Sequence, residues 1–546
     1  MKNTILLAAA MLLFAVSASA YDFTDTTSSN HVLQYNITSN TAPYTVKVVG
    51  GGFYNFNNEH VVIPDTVWHN GTAYLVTEIG YQAFYGAYMS QVTIPNSVKS
   101  FGDAAFLGSA VQIINIGSGL ARIGDVCFAE TELLKEINVD TTNQHFKSLD
   151  GVLFNRNMDT LFFYPSDKPD VSYSIPSTVR VLFGNEYSAT FDYNNHLTSV
   201  FIPASVAVIP PSCFSFISTL ATITVDSVNT TYKSLDGVLF NYDMDTLIQY
   251  PMARASNFYD IPTTVKNLGP YSFVSCNLPS ITIPNSVLSI GNFAFTGSHI
   301  ASLVIGASVD TIMDEAFGGT DYLTDITSLS ANAPKIDRLV FISLSGNWLY
   351  KDLHVPCGSS ANYLANANWA MYLDTVHMQI FEDCQYHSIT VDADTAYGTV
   401  VASTYSARLG DTVVISITPN QGCYTNDWAV HKSSDPLVRV SVANDTFIMP
   451  NYDVTISSYF LPVGIVTADS PKIELYPNPA ANSVRLWSEA LIEQVELFNV
   501  AGVVVMKEMV NNTDATLNVG KLSNGIYAIR VRTNNGTSVQ RLVISR

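Results

Sequence analysis

Hydrophobic and polar positions recur along this chain with a period too long for a single helix or strand. Around Leu268 to Thr320 an aromatic returns at Phe273, Phe295 and Phe317, two steps of 22 residues, and Phe84, Phe106 and Phe128 make the same step earlier. Ile79-Gly80, Phe101-Gly102 and Ile123-Gly124 keep register with the earlier set. Ahead of the aromatics lie alternating phrases, Val92-Thr93-Ile94-Pro95-Asn96 and Ile281-Thr282-Ile283-Pro284-Asn285. Side chains alternate faces along a strand, so Leu278, Ile281 and Ile283 are expected inside and Thr282 outside. Proline offers no ladder donor and Asn favours turns, which stops each strand there. One such coil cannot enclose its own apolar face, so stacked units are expected, each covering the next.

A second tier of repetition lies on the first. KSLDGVLFN begins at Lys147 and again at Lys233, 86 residues on, and Cys127-Phe128 and Cys213-Phe214 keep the same step. Ile202-Pro203 and Ile283-Pro284 are only 81 apart, so the first block carries five extra residues, placed by this reading in Ser188 to His196. Such an insertion belongs in a loop on one face.

The pattern L-x-x-I-x-I-P-x-S-V-x-x-I-G-x-x-A-F resembles the BspA-type leucine-rich repeat of bacterial surface proteins. Expected boundaries are an N-terminal cap over 21–58, repeats over 59–355 and a C-terminal cap over 356–384. Ser359 to Tyr372 reads as a short closing helix with Ser359 or Ser360 as N-cap. From 385 to 461 the period changes to strict alternation, as in Thr412-Val413-Val414-Ile415-Ser416-Ile417, which predicts a small antiparallel β domain. Gly410-Asp411-Thr412-Val413, Trp428 and Phe447-Ile448-Met449-Pro450 give it a resemblance to the divergent internalin-B-type B repeat. A linker over 462–470 follows. In 471–546, Leu475-Tyr476-Pro477-Asn478-Pro479, Val495-Glu496-Leu497-Phe498 and Leu522-Ser523-Asn524-Gly525-Ile526-Tyr527 resemble the C-terminal sorting domain of the type IX secretion system. That resemblance implies an encounter with the type IX machinery, then anchoring at the outer surface after removal of the domain, or release. The expected fold class is mainly β: a leucine-rich repeat solenoid followed by two small β-sandwich-like domains.

Composition narrows the partners. The formal net charge is −20, from 46 Asp and Glu against 26 Lys and Arg. Such a surface repels nucleic acid and anionic membranes. Residues 470–546 hold eight basic against six acidic side chains, a balance of +2, so the acidity resides in the cargo. Met1 to Ala20 has a basic start, an apolar run and Ala18-Ser19-Ala20, and reads as a secretory signal peptide cleaved between Ala20 and Tyr21. No later stretch is apolar for long enough to be a spanning helix.

Six cysteines fall into two groups. Cys127, Cys213 and Cys276 sit beside repeat aromatics and are expected as buried free thiols. Cys357, Cys384 and Cys423 lie beyond the repeats; a Cys357–Cys384 bridge, worth about 3 kcal/mol, is the expected pairing, though spacing alone assigns none.

No catalytic constellation can be assembled. The histidines are scattered, and neither H-E-x-x-H, G-x-S-x-G nor a phosphate-binding loop occurs. Cys357 near His354 lacks any cue that would lower a thiol pKa. Asp392 and Asp394, or Asp150 and Asp236 in the SLDGV turns, lack calcium-site spacing, so turn chemistry is the preferred reading and neither metal nor cofactor is expected. The candidate binding patch combines Tyr187, Phe191, Tyr193 and His196 of the insertion with the outward strand positions Thr93, Phe201, Thr282 and Val304, read as one continuous, weakly polar face. The function this implies is adhesion to extracellular proteins, on host matrix or other bacteria. The alternative is capture of glycan or protein nutrients for partner enzymes.

Overall fold

The structure is a computed structural model, which describes residues 21–50, 54–184, 189–191, 193–343, 350–373, 377–393, 395–462, 473–476, 480, 482–499, 504–523, 525–534 and 536–544. The signal peptide, Tyr187, Asp394, nearly all of the expected linker and the Pro477-Asn478-Pro479 motif lie outside the described residues.

The architecture is a β-solenoid over residues 78–383 with smaller β domains after it. Its coils stack through parallel strands. Gln91–Ile94 pairs in register with Ile113–Ile116, and Ser280–Ile283 with Ser302–Ile305, so the 22-residue sequence step is the spatial step from coil to coil. Inside, Val92, Ile94, Ile281 and Ile283 are buried, as alternation requires. The repeat aromatics stack ring on ring: Phe273, Phe295 and Phe317 are 4.9 and 5.1 Å apart with planes within 10° of parallel.

The turn carrying each aromatic has its own ladder. Gln82, Phe84 and Gly86 donate to the carbonyls of Asp103, Ala105 and Leu107 in the next coil, at 2.8 to 3.1 Å. This pulls the residue two before the aromatic into the left-handed region: Gln82, Ala104, Val126, Tyr271, Phe293 and Glu315 all have φ between 48° and 60°. That conformation costs roughly 1 kcal/mol per non-glycine residue, and the ladder that needs it offsets the cost.

The KSLDG copies are the departure from a simple coil. Phe146–Leu149 and Val152–Asn155 form an antiparallel hairpin, and Tyr232–Leu235 and Val238–Asn241 repeat it with identical register. Asp150-Gly151 and Asp236-Gly237 take positive φ at both positions, the mirror-image turn whose twist suits a hairpin. A basic side chain holds each turn as well: Lys168 bonds the Asp150 carboxylate and Arg254 donates to the Asp236 carbonyl.

At the N-terminal end five strands between Phe23 and Ile79, joined by Ser100–Phe101 into one six-stranded sheet, cover the first coil, burying Phe23, Leu33, Tyr35, Val46 and Val48. At the other end two short helices, α1 (Ser360–Leu364) and α2 (Ala367–Tyr372), stand where one was expected. Ser359 makes no side-chain cap; Glu382 accepts from the amides of Gly358 and Ser360 instead. Asn366 caps α2 through the amides of Asn368 and Trp369. Trp369 closes the stack against Phe341 and donates its indole N–H to Pro334 O at 2.8 Å.

The chain divides into two compact units. The larger holds the solenoid together with residues 404–414 and 430–454 of the following domain. The smaller contains the hairpin of Gly398–Ala402 with residues 415–419, and the C-terminal sheet. In that sheet Ser483–Phe498 is central, flanked by Ile473–Tyr476, Val504–Asn518 and Gly525–Thr533, with Gly536–Ile544 outermost beside the last. It buries Val484, Leu486, Val495, Leu497, Ile529 and Val531.

Candidate functional site

Phe191 belongs to the core, not to an exposed patch. Its ring lies 5.2 Å from Tyr164 and 5.3 Å from Phe214, and the side chain is fully buried. It is the repeat aromatic of its coil. Leu182 to Phe191 takes nine steps where the matching Leu268 to Phe273 takes five, so four of the extra residues precede Phe191 and the insertion lies earlier than the sequence reading placed it. Tyr164 and Tyr250 occupy the same column, each in contact with the next coil's aromatic, as a phenylalanine would be.

Tyr193, two residues further on, is half-buried and starts a second aromatic row outside the core. Its ring stacks on Phe216 at 5.4 Å and 14°; Phe216 meets Tyr271 edge-on at 6.3 Å; Tyr271 stacks on Phe293 at 5.0 Å and 13°. All four are half-buried. His196 sits nearby with its Nε2 2.8 Å from Asp167 Oδ1, and Lys135 Nζ is 3.7 Å from the same carboxylate. The row was missed in the sequence because its members alternate between two positions of the turn, two after Phe191 and Phe214 but two before Phe273 and Phe295.

The outward strand positions do not form one continuous face. They lie on three separate parallel ladders: His60–Val62 to Glu136–Val139, Ser172–Ser174 to Thr222–Val225, and Ser280–Ile283 to Met378–Asp383. The two KSLDG hairpins separate them. Ser148 and Ser234 hydroxyls accept from the amides of Val139 and Val225, the last residue of the strand in each case. Thr93 lies on the first ladder, half-buried, within 2.8 Å of His60 Nε2. Phe201 lies on the second and is 38% exposed.

Thr282 and Val304 lie on the third ladder, and this one is covered by the chain itself. Val304 is only 7% exposed, packed with Leu329 and Leu409 and flanked by Ala307 and Ile448. Thr282 Oγ1 donates to Arg439 O at 3.1 Å. Gly410 fits over Pro356 so closely that a Cβ there would lie 2.9 Å from its Cγ. Burial raises the Tyr452 phenol above its ordinary value, with Asp325 adding to the shift. The expectation of an open face at Thr282 and Val304 is therefore corrected: apolar positions on an outward face invite cover, and the next domain supplies it.

Cys357 and Cys384 are joined by a disulfide, Cα atoms 4.8 Å apart. Glu382 stands beside the pair, but with both sulfurs bridged the three make no thiolate metal site. Cys127, Cys213 and Cys276 are buried, and burial pushes all three thiols up, Cys276 to about 12. Thiols so far from ionisation are poor nucleophiles. Lys168, with 8% of its side chain exposed, is held between Asp150 and Asp170 at 3.0 and 3.2 Å. Two carboxylates neutralise that ammonium and fix the hairpin turn to the coil beneath. The arrangement is structural glue.

Comparison with known proteins gives three family matches. The BspA type leucine rich repeat region matches in six copies over residues 48–166, 172–242 and 254–347. The divergent InlB B-repeat domain matches 387–464, and the secretion system C-terminal sorting domain 474–545. No curated protein matches the chain. Among solved structures, the pneumococcal vaccine antigen PcpA is similar over 67% of this chain and 99% of its own, at 16% identity and a TM-score of 0.38. A leucine rich cell surface protein from Faecalibacterium prausnitzii is 23% identical over 57% of this chain and 89% of its own, TM-score 0.35. A leucine-rich repeat protein from Bacteroides ovatus is 19% identical over 66% and 100%, TM-score 0.31.

Proposed function

This chain belongs to the BspA-type leucine-rich repeat family and carries a secretion sorting domain, and from that premise we propose that it is a non-catalytic adhesive protein of the cell surface, binding extracellular proteins on host matrix or other cells. The sorting domain indicates secretion, with anchoring at the outer surface or release. The observation that carries the adhesive reading is the aromatic row Tyr193, Phe216, Tyr271 and Phe293.

The geometry of the row favours protein over glycan. A sugar ring docks on the open face of an aromatic. Here the two stacked pairs turn ring faces toward one another, which takes those faces away from a sugar. A row of half-buried aromatics suits the apolar side chains of a protein partner, and aromatic residues are enriched where such interfaces concentrate their binding energy. The open first ladder, with Gln91, Thr93, Asn115 and Asn138, supplies polar contacts of the kind found at an interface rim. Each contact is weak, and display of many copies on one cell raises the avidity.

The test is binding of the full secreted chain to immobilised matrix proteins and to glycans, comparing wild type with a Tyr193→Ala/Phe216→Ala double variant. Saturable protein binding that falls by about tenfold or more in the variant supports the reading. Glycan binding alone, unaffected by the variant, turns the reading to nutrient capture.

A further inference from the structure

The C-terminal sheet has two unlike edges. On one side the outermost strand, Gly536–Ile544, is blunted: Ala480 bridges Ile544 and donates its amide to Val543 O, and Gln540 reaches across to Ile473 O. On the other side Val504–Asn518 pairs with Ser483–Phe498 alone, and among the described residues no strand lies on its outer edge. Along these fifteen residues alternate amide and carbonyl groups face outward, a template for another strand.

Charge guards this edge only lightly. Lys507 is engaged by Glu496 at 2.8 Å and Asp514 by Arg485, both on the neighbouring strand, so these two charges are neutralised within the sheet, and the exposed Glu508 is the charge that the segment presents. The segment Val504 to Val510 exposes Val504 at 45% and Met509 at 66%. The pairing with Ser483–Phe498 shifts register between Val504 and Met506 and again where Asn511 takes φ 53°, so the regular run is Met506 to Met509.

We infer that the outer edge of Val504–Val510 is the recognition element of the sorting domain, and that it takes an extended strand from a protein of the secretion machinery by β-strand addition. The partner strand gains main-chain hydrogen bonds from the edge and covers Val504 and Met509 with its side chains. The match of residues 474–545 to a secretion system sorting domain points to the machinery as the occupant, and a second copy of this chain is the competing outcome that the test separates.

The experiment uses the full chain in a bacterium whose secretion system accepts this class of sorting domain, reading the fraction at the surface and in the medium against the fraction retained. Proline is placed singly at Met506, Lys507 and Glu508, where the ladder is regular. Along an antiparallel strand alternate amides face the neighbour, so one parity breaks the native ladder and the other removes an amide only from the free edge. The expected result is that the parity whose melting temperature stays within about 2 °C of wild type still loses secretion by about tenfold. A Val504→Lys/Met509→Lys variant, which changes only exposed side chains, is expected to fold normally and lose secretion several-fold. Normal secretion of a folded edge-proline variant together with the lysine variant overturns the inference, as does a shift from dimer to monomer in these variants with secretion intact. Binding to matrix proteins is not read here, so the outcome is independent of the adhesive reading.

Discussion

The hydroxyl of Thr282 donates to the main-chain carbonyl of Arg439 across 157 residues of sequence. This bond ties the last parallel ladder of the solenoid to residues 430–454, and the apolar contact of Val304, Leu329 and Leu409 extends the tie. The consequence is a division of labour along the repeat array: the first two ladders face outward, and the third is spent on holding the next domain.

Leu409 is the keystone of that tie, 2% exposed with Val304 and Leu329 around it. Leu409→Ala is expected to weaken the attachment by about 2 to 3 kcal/mol, at the low end for a buried leucine because the cluster is small. Limited proteolysis checks this: cleavage within residues 404–414 should accelerate while the repeats stay resistant. Unchanged cleavage there would mean that the hydrogen bond and Gly410 suffice alone.

Three buried asparagines, Asn143, Asn194 and Asn229, play one role in three coils. Asn229 donates from Nδ2 to Pro203 O and Val206 O of the preceding coil, and its Oδ1 accepts from the amides of Thr231 and Tyr232. Asn143 and Asn194 repeat this pattern. Asn229→Leu leaves Val206 O and the amides of Thr231 and Tyr232 without this partner, while Pro203 O keeps the Val206 amide, and at about 1 kcal/mol or more for each of the three the expected loss is about 3 kcal/mol. Chemical denaturation should show a lower midpoint, with an altered slope if the array parts at that coil. An unchanged midpoint would contradict the assignment.

Lys351 predicts an unusual pH response. Burial pushes its ammonium down from an ordinary 10.5 to about 8, opposed by Asp321, while Nζ donates to Leu323 O at 2.8 Å. Between those two values the unfolded chain binds more protons than the folded one, so this group makes stability rise with pH from about 8 to 10.5. The gain is roughly 3 kcal/mol at most. Buried tyrosines with raised pKa values work in the opposite sense at the upper end, so the quantity to measure is the difference between wild type and Lys351→Met. That difference should move in favour of wild type as pH rises through the window; a flat difference would place Lys351 in water.

Much of this was legible because a 22-residue period leaves little freedom. Phe84, Phe106, Phe273 and Phe295 announced the stack by spacing alone, and Ile281 and Ile283 announced the inward face by alternation. The site was less legible, for two physical reasons. Outward residues obey no packing period, so nothing in the sequence told Val304, which is covered, from Phe201, which is open. The hairpins that interrupt the ladders were visible as a repeat, yet a repeated SLDGV phrase does not say that its turn lies in the path of a neighbouring strand. The roles of Asn143 and Asn229 carry no signal in the sequence, because polarity is local whereas their bonds reach 23 to 26 residues back.

Phe191 and Tyr193 put the distinction between core and site to its sharpest test, because they are two residues apart. Phe191 is buried between Tyr164 and Phe214, so Phe191→Ala opens a cavity in the column and is expected to cost about 3 to 5 kcal/mol. Tyr193 is half-buried on Phe216, and Tyr193→Ala removes one stacked pair worth about 1 kcal/mol and some covered area. Ligand binding should rank them the other way: Tyr193→Ala weakens capture of a protein partner while the chain stays folded, and Phe191→Ala acts only through the folded fraction. Thermal melting and partner binding on both variants decide it. If Tyr193→Ala leaves binding intact at full stability, the outer aromatic row is packing and the binding surface lies on the first ladder, around Thr93 and Asn115.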